Sequence, residues 1–327
     1  NVSGAGVTLE GVGVTQSSGS TVNAGSGAIL VNGGDGTIDM AGALTTTSDA
    51  ATAATVENAT TVELPAITTG STGTTTIGVA GDTAGAVTQS PSTVISTGTL
   101  TGDATGSVNL GSPNTNAIPT LGAFTSDGFT LNDTDSLSIT GAVASGAGAV
   151  SLTSSGTIAE SGGGQISTTS TLQTSSVGGT TLGGANVVSG FTAADSTTGS
   201  VSLTNGAALT ITGLDQSGGG AVSVTNSGPI TLAGSNSATG GLTLVSIGGG
   251  VTLGSAASDS LTVTGVLSVT ADGSIVEEGG SSVSAASTLL TLTSSSGDVT
   301  LLNAGSMGSI ALTGTGQNLD LGSPTQD

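Results

Sequence analysis

The chain contains no lysine, arginine or histidine, against 21 aspartates and glutamates, and its formal net charge is -21. Without cationic side chains it has no counter-charge for nucleic-acid phosphates and none for an anionic membrane surface. Cysteine is absent too, so disulfides are excluded, as are zinc and iron–sulfur centres of the usual ligation. No run approaches the roughly 18 apolar residues of a membrane-spanning helix. Neither nucleic-acid binding nor membrane insertion is therefore expected. Tryptophan and tyrosine are missing, and the only rings are Phe124, Phe129 and Phe191. Any core must be narrow and aliphatic. The lack of lysine rules out intramolecular isopeptide staples, and trypsin-like proteases find nothing to cut.

What is present is a small vocabulary in strict order. Hydrophobic residues make up 35% of the chain and glycine contributes 58 residues. Disorder goes with low hydrophobicity and high charge; here valine, isoleucine, leucine and alanine recur with short-range order. Val7-Thr8-Leu9, Val108-Asn109-Leu110, Val150-Ser151-Leu152, Val201-Ser202-Leu203, Leu209-Thr210-Ile211 and Ile230-Thr231-Leu232 alternate apolar, polar, apolar. Each triplet puts two branched side chains on one face of a strand and a polar one on the other. Glycine, asparagine, aspartate and serine between them supply turns.

Spacing turns strands into an architecture. Val201, Val222 and Leu242 recur almost evenly, and Leu209, Ile230 and Val251 recur evenly, both at a period of about 20 residues. Two interleaved series with one period indicate a solenoid with a fixed number of strands per turn. The expected fold is all-β: a right-handed parallel β-helix (β-solenoid) of about 20 residues per coil, the hand following the usual crossover preference. That gives roughly 16 coils, an elongated rod on the order of 75–80 Å long. Residues 1–327 are read as a single β-solenoid, with 45–86 forming less regular coils. Blocks 87–155 and 157–227 are duplicated at a constant offset: Phe129-Thr130-Leu131 matches Val201-Ser202-Leu203, and Val150-Ser151-Leu152 matches Val222-Ser223-Val224. Residues 273–327 begin a partial third copy, "GSIVEEGGSSVSAASTL" echoing "GTIAESGGGQISTTSTL".

The stretch "TSSVGGTTLGGANVVSGFTAADSTTGSVSLTNGAALTITGLDQSGGGAVSVTNSGPITLAGS", and the similar "STGTLTGDATGSVNLGSPNTNAIPTLGAFTSDGFTLNDTDSLSITGAVA", resemble the repeat region of filamentous-haemagglutinin-like exoproteins. The resemblance covers residues 87–327 best. It implies a right-handed parallel β-helix shaft, export of the two-partner secretion or autotransporter kind to the bacterial surface, and roles in adhesion, aggregation or biofilm.

No catalytic, cofactor-binding or metal-ligating residue is assigned. Some parallel β-helices act on polysaccharides through paired carboxylates, and the closest pairs here are Glu277-Glu278 and Asp133/Asp135. Adjacent strand residues point to opposite faces, and the chain lacks tryptophan, tyrosine and cations to hold a sugar. These carboxylates are read as solvated turn residues. "NGGDGTIDM" (Asn32 to Met40) resembles a calcium-roll repeat with its second aspartate, Asp39, one position late. "NDTDS" (Asn132 to Ser136) offers oxygens at alternate positions. Turn chemistry accounts for both, leaving loosely bound calcium as screening for the net charge. Neither "NVSGAGVTLEGVGV" nor "GTGQNLDLGSPTQD" carries a helix or charge cluster that would cap a solenoid. The expectation is a non-enzymatic shaft or subunit of an extracellular, secreted bacterial fibre of the surface or biofilm matrix. Such a subunit either flanks a longer shaft or polymerises head-to-tail through its end coils. The alternative is an adhesin segment binding a host or cell-surface ligand through its side loops.

Overall fold

The computed structural model of the chain describes residues 1–302, 304–314 and 318–321. Strands follow one another along it, and no helix occurs among the described residues. By internal contacts the chain divides into two units, Asn1–Thr168 and Thr169–Asp327. Strand pairing in each is parallel; an isolated bridge between Val79 and Asp82 is antiparallel.

In the first unit the alternating triplets stack into inward ladders. Val7, Ile29, Ala54, Thr75, Leu100, Leu121 and Ile139 face one another from coil to coil. Ile38, Val62, Val87, Val108, Phe129 and Val150 form a second ladder. Val22, Leu44, Ile67 and Ile95 form a third in a separate five-stranded sheet. All of these side chains are buried. Thr75, the polar member of the first ladder, turns its hydroxyl to Thr97 Oγ1 at 3.0 Å. Removing one branched side chain from water is worth about 1.5–3 kcal/mol, so each rung contributes little alone and the stack contributes much. The Phe124 and Phe129 rings meet at a centroid distance of 4.8 Å, tilted by 52°.

The second unit repeats this plan. Val201, Val222, Leu242 and Leu267 are in register, as are Leu209, Ile230, Val251, Ile275 and Val299. A third face runs through Ser235–Ala238, Ser260–Val263 and Ser282–Ser294. The two interleaved triplet series mark two of these faces. The third escapes notice because its inward positions at Ser235–Ala238 are Asn236 and Ala238, not valine or leucine.

The solenoid makes about 13 turns of about 22 residues, against the expected 16 of about 20. The difference comes from residues added at corners. Leu232 faces Leu253, but Ser235, just beyond it, faces Ser260. The step from coil to coil is longer at the second pair than at the first, so the extra residues lie in the corner between Leu253 and Ser260. Similar additions lengthen the step from Val62 to its partner Val87 and from Ile67 to its partner Ile95. Of the C-terminal stretch read as uncapped, residues 315–317 and 322–327 lie outside the described residues, as do parts of the partial third copy.

Candidate functional site

The expectation of solvated turn carboxylates fails at several positions. Asp133, Asp195, Asp259 and Glu277 are between 0 and 6% exposed. The reason is the parity of the strand. In Phe129–Asp133 the burial alternates, so Phe129, Leu131 and then Asp133 all point inward. The fifth residue reaches the corner, where turning backbone leaves N–H and C=O groups without strand partners. A short polar side chain there satisfies them.

Two corner columns show how. In the second unit Asn186, Asn205, Asn226 and Ser246 stand in register, all buried. The Asn205 amide donates to Asn226 Oδ1 at 2.9 Å, and Asn226 donates in turn to the Gly228 and Pro229 carbonyls at 2.8 and 2.9 Å. In the first unit Gln89 Nε2 donates to Asn116 Oδ1 at 2.9 Å, and Asn116 donates back to Gln89 Oε1 at 3.2 Å. Asp133 lies beside Asn116 and next to Ser154 on the following coil. Asp195 is buried with a donor on each oxygen: the Thr197 N–H at 2.8 Å and the Ser176 hydroxyl at 3.2 Å.

Asp259 and Asp133 show how placement alone sets acidity. Burial opposes ionisation of Asp259. The N–H groups of Gly234, Ser255 and Ala256, at 2.8, 2.7 and 2.9 Å, and the Ser255 hydroxyl at 3.0 Å outweigh it and hold the carboxyl below the usual aspartate range. Asp259 thus clamps the corner insertion onto the preceding coil. Its contribution is present above the unfolded value of 3.8 and is lost as pH falls through the lowered folded value. Asp259→Ala is expected to cost about 2 kcal/mol at neutral pH, because its backbone donors lose their acceptor. Urea unfolding of the variant checks this, and faster amide exchange at Ser255 and Ala256 localises it.

Glu277 and Glu278 diverge, the first buried and the second exposed. Asp133 and Asp135 divide the same way. In "NDTDS" the oxygens do not turn to a common centre. The Asn132 amide donates to the Asn114 carbonyl at 2.7 Å, and the Thr134 hydroxyl to the Asn116 carbonyl at 2.8 Å. In "NGGDGTIDM", Asn32 Oδ1 accepts from the Gly34 N–H at 2.9 Å and the Asn58 amide at 3.1 Å, while its own amide donates to Glu57 at 3.3 Å. Burial raises the Glu57 pKa; the Asn32 amide lowers it, and the charges of Asp82 and Glu10 raise it. Asp39 instead points outward on the strand Ile29–Met40, between Thr15 and Glu63 of the flanking coils. Among the described residues, no three acidic side chains are gathered so as to hold a metal ion.

The outer face carries mixed polar columns. Thr15, Asp39, Glu63, Thr88, Asn109, Thr130 and Ser151 follow one another. Hydroxyls pair across single rungs, as in Thr76 with Thr101 at 3.1 Å and Thr192 with Thr212 at 3.2 Å. Between Thr37, Asp39, Thr61, Glu63, Ala86 and Thr88 lies a shallow open groove of about 310 Å³. Glu63 there accepts the Ser90 hydroxyl at 2.7 Å.

These coils define a parallel β-solenoid repeat protein. Comparison with protein-family models, with curated proteins and with solved structures finds no match.

Proposed function

We propose that the chain is a non-enzymatic structural element, the shaft or a repeating subunit of an extracellular bacterial fibre in a surface or biofilm matrix. The observation that carries this reading is where the polar chemistry goes. Asn186, Asn205, Asn226, Asn116, Asp195 and Asp259 are buried at corners and engaged with backbone or with each other. Polar groups committed to holding coils together are not available to a substrate. The resemblance to filamentous-haemagglutinin-like repeats supports export and a fibre, and the absence of lysine and arginine suits a medium containing proteases. Stacked coils resist extension because each coil must be pulled off the parallel strands of its neighbour. In a fibre, the chain would meet either further shaft or a second copy through stacked coils.

Electron microscopy of producing cells, with antibody raised against the chain, tests the reading. Label along extracellular fibres is the expected result; label confined to the cell interior contradicts it. Intact fibres whose attachment to a host or neighbouring cell is lost on Asp39→Asn with Glu63→Gln would favour the adhesin alternative, with the open groove as its contact. Glycan turnover abolished by the same pair of changes would make the chain an enzyme and overturn the proposal.

A further inference from the structure

The internal duplication aligns Asp133 with Asn205, and both close the same alternation: Phe129-Thr130-Leu131-Asn132-Asp133 and Val201-Ser202-Leu203-Thr204-Asn205. Asp133 is 1% exposed and Asn205 2%. Asn205 shows what such a corner requires. Its Oδ1 accepts the Val188 N–H at 2.8 Å, and its Nδ2 donates to the Val188 carbonyl at 3.1 Å. The amide thus pairs with both polar groups of one residue's backbone, and also reaches the Ala207 carbonyl at 3.1 Å. Asp133 reproduces the first half: its Oδ1 accepts the Ile118 N–H at 2.8 Å. The second oxygen, Oδ2, takes the place of the asparagine nitrogen and is buried without a donor.

The neighbouring rungs have no side-chain donor to spare, and the Asp135 N–H in the turn that follows acts on the carboxyl less than burial, the Ile118 N–H or the Asp135 charge. Both hydrogens of the Asn116 amide are committed, to Gln89 Oε1 at 3.2 Å and the Leu110 carbonyl at 3.0 Å. The Ser154 hydroxyl has one hydrogen, placed between the Asp135 carbonyl at 2.5 Å and the Thr157 carbonyl at 3.2 Å. The Thr134 N–H is directed to the Asn116 carbonyl at 2.8 Å. The strands Ala84–Gln89, Val108–Leu110 and Val150–Ser154, and residues 114–118, carry no ionisable side chain. The charge that acts on Asp133 is another carboxylate, Asp135.

We propose that Asp133 is held as a neutral carboxylic acid, its Oδ2–H donating to the Ile118 carbonyl where an asparagine would use its amide, so that this corner of the solenoid is a proton-sensitive rung. Raising the pH transfers the proton to water and leaves a buried carboxylate whose second oxygen has no donor. Acidity agrees with the geometry. Burial raises Asp133 most, the Ile118 N–H lowers it and the Asp135 charge raises it again. The backbone N–H groups of Asp135 and Thr134 lower it less, and the carboxyl is pushed up from 3.8 to about 6. The folded chain binds this proton more tightly than the unfolded chain does. Stability from the rung is therefore complete below the unfolded value of 3.8, falls as pH rises towards about 6, and stays lost above it.

The test is Asp133→Asn in the full chain, compared with wild type by urea unfolding between about pH 3.5 and 7.5. The other carboxylates titrate in both proteins, so the difference isolates Asp133. The variant is expected to be the more stable at the upper end, by tenfold or more in its folding equilibrium with a ceiling of about a hundredfold, and the gain should vanish at the lower end. An infrared carbonyl band of protonated carboxylic acid near pH 5, larger in wild type than in Asp133→Asn by the contribution of one group, is the second expected result. A difference that ignores pH, a variant that is less stable or fails to fold, or the same band in both proteins overturns the proposal. So does loss of wild-type stability on adding EDTA at the upper pH, which would put a metal cation rather than a proton between the oxygens.

Discussion

Replacing Phe129 with alanine is expected to lower the unfolding free energy by about 3–5 kcal/mol. The ring is fully buried in a ladder between Val108 and Val150 and packs against Phe124. Its neighbours cannot follow it into the space left behind. Val108 and Val150 are held by parallel backbone ladders, so the cavity stays open and its lining loses dispersion contacts. The Phe124 ring contact accounts for about 0.5–1.5 kcal/mol of that loss. Coils touch only their neighbours, so the damage should be local. Amide exchange should quicken in Val108–Leu110 and Val150–Ser154 and stay unchanged in Val222–Asn226. A loss below about 1 kcal/mol, or exchange that rises equally everywhere, would contradict the packed ladder.

Gly85→Ala is expected to cost about 3 kcal/mol, the upper end of what overpacking does. A Cβ at Gly85 would overlap the Thr60 carbonyl oxygen and stand 2.5 Å from its carbon. Both are backbone atoms of the neighbouring coil, so no rotamer relieves the clash. The strands around Ala84–Gln89 and Ala54–Leu64, paired from Ala84 with Ala59 to Gln89 with Leu64, would have to part. Gly183→Ala is the matched control. It meets nothing within 4 Å, and a change within about 0.5 kcal/mol is expected. Thermal unfolding of both variants checks the pair; equal effects would mean that the coils are not as closely stacked as described.

Much of this was legible in the sequence, for a physical reason. A parallel coil must bury the same face on every turn, so Val201, Val222 and Leu242 advertise the period through their spacing. The third face was not legible, because Asn236 and Ala238 point inward from a Ser-Asn-Ser-Ala strand that reads as a loop. Buried corners were misread because aspartate and asparagine serve equally in turns. The signal was available in the parity: carrying Val201, Leu203 one step further reaches Asn205, and Phe129, Leu131 one step further reaches Asp133. Coil length was underestimated because insertions such as that held by Asp259 leave ladder registry intact and so leave the triplets unchanged. The carboxylates considered as pairs fell apart for two reasons: Glu277 and Glu278 are adjacent and face opposite ways, while Asp133 and Asp135 are separated because the strand Phe129–Asp133 ends between them.

Each coil is held by the coils beside it, and under the proposed function this stacking is what carries load. Pulling the full chain by its two ends in single-molecule force spectroscopy tests it most directly. The expected result is a series of separate releases, each lengthening the chain by about 75 Å, the extended length of one coil of about 22 residues at roughly 3.4 Å per residue. One release of the whole contour, or steps bearing no relation to the coil, would contradict it.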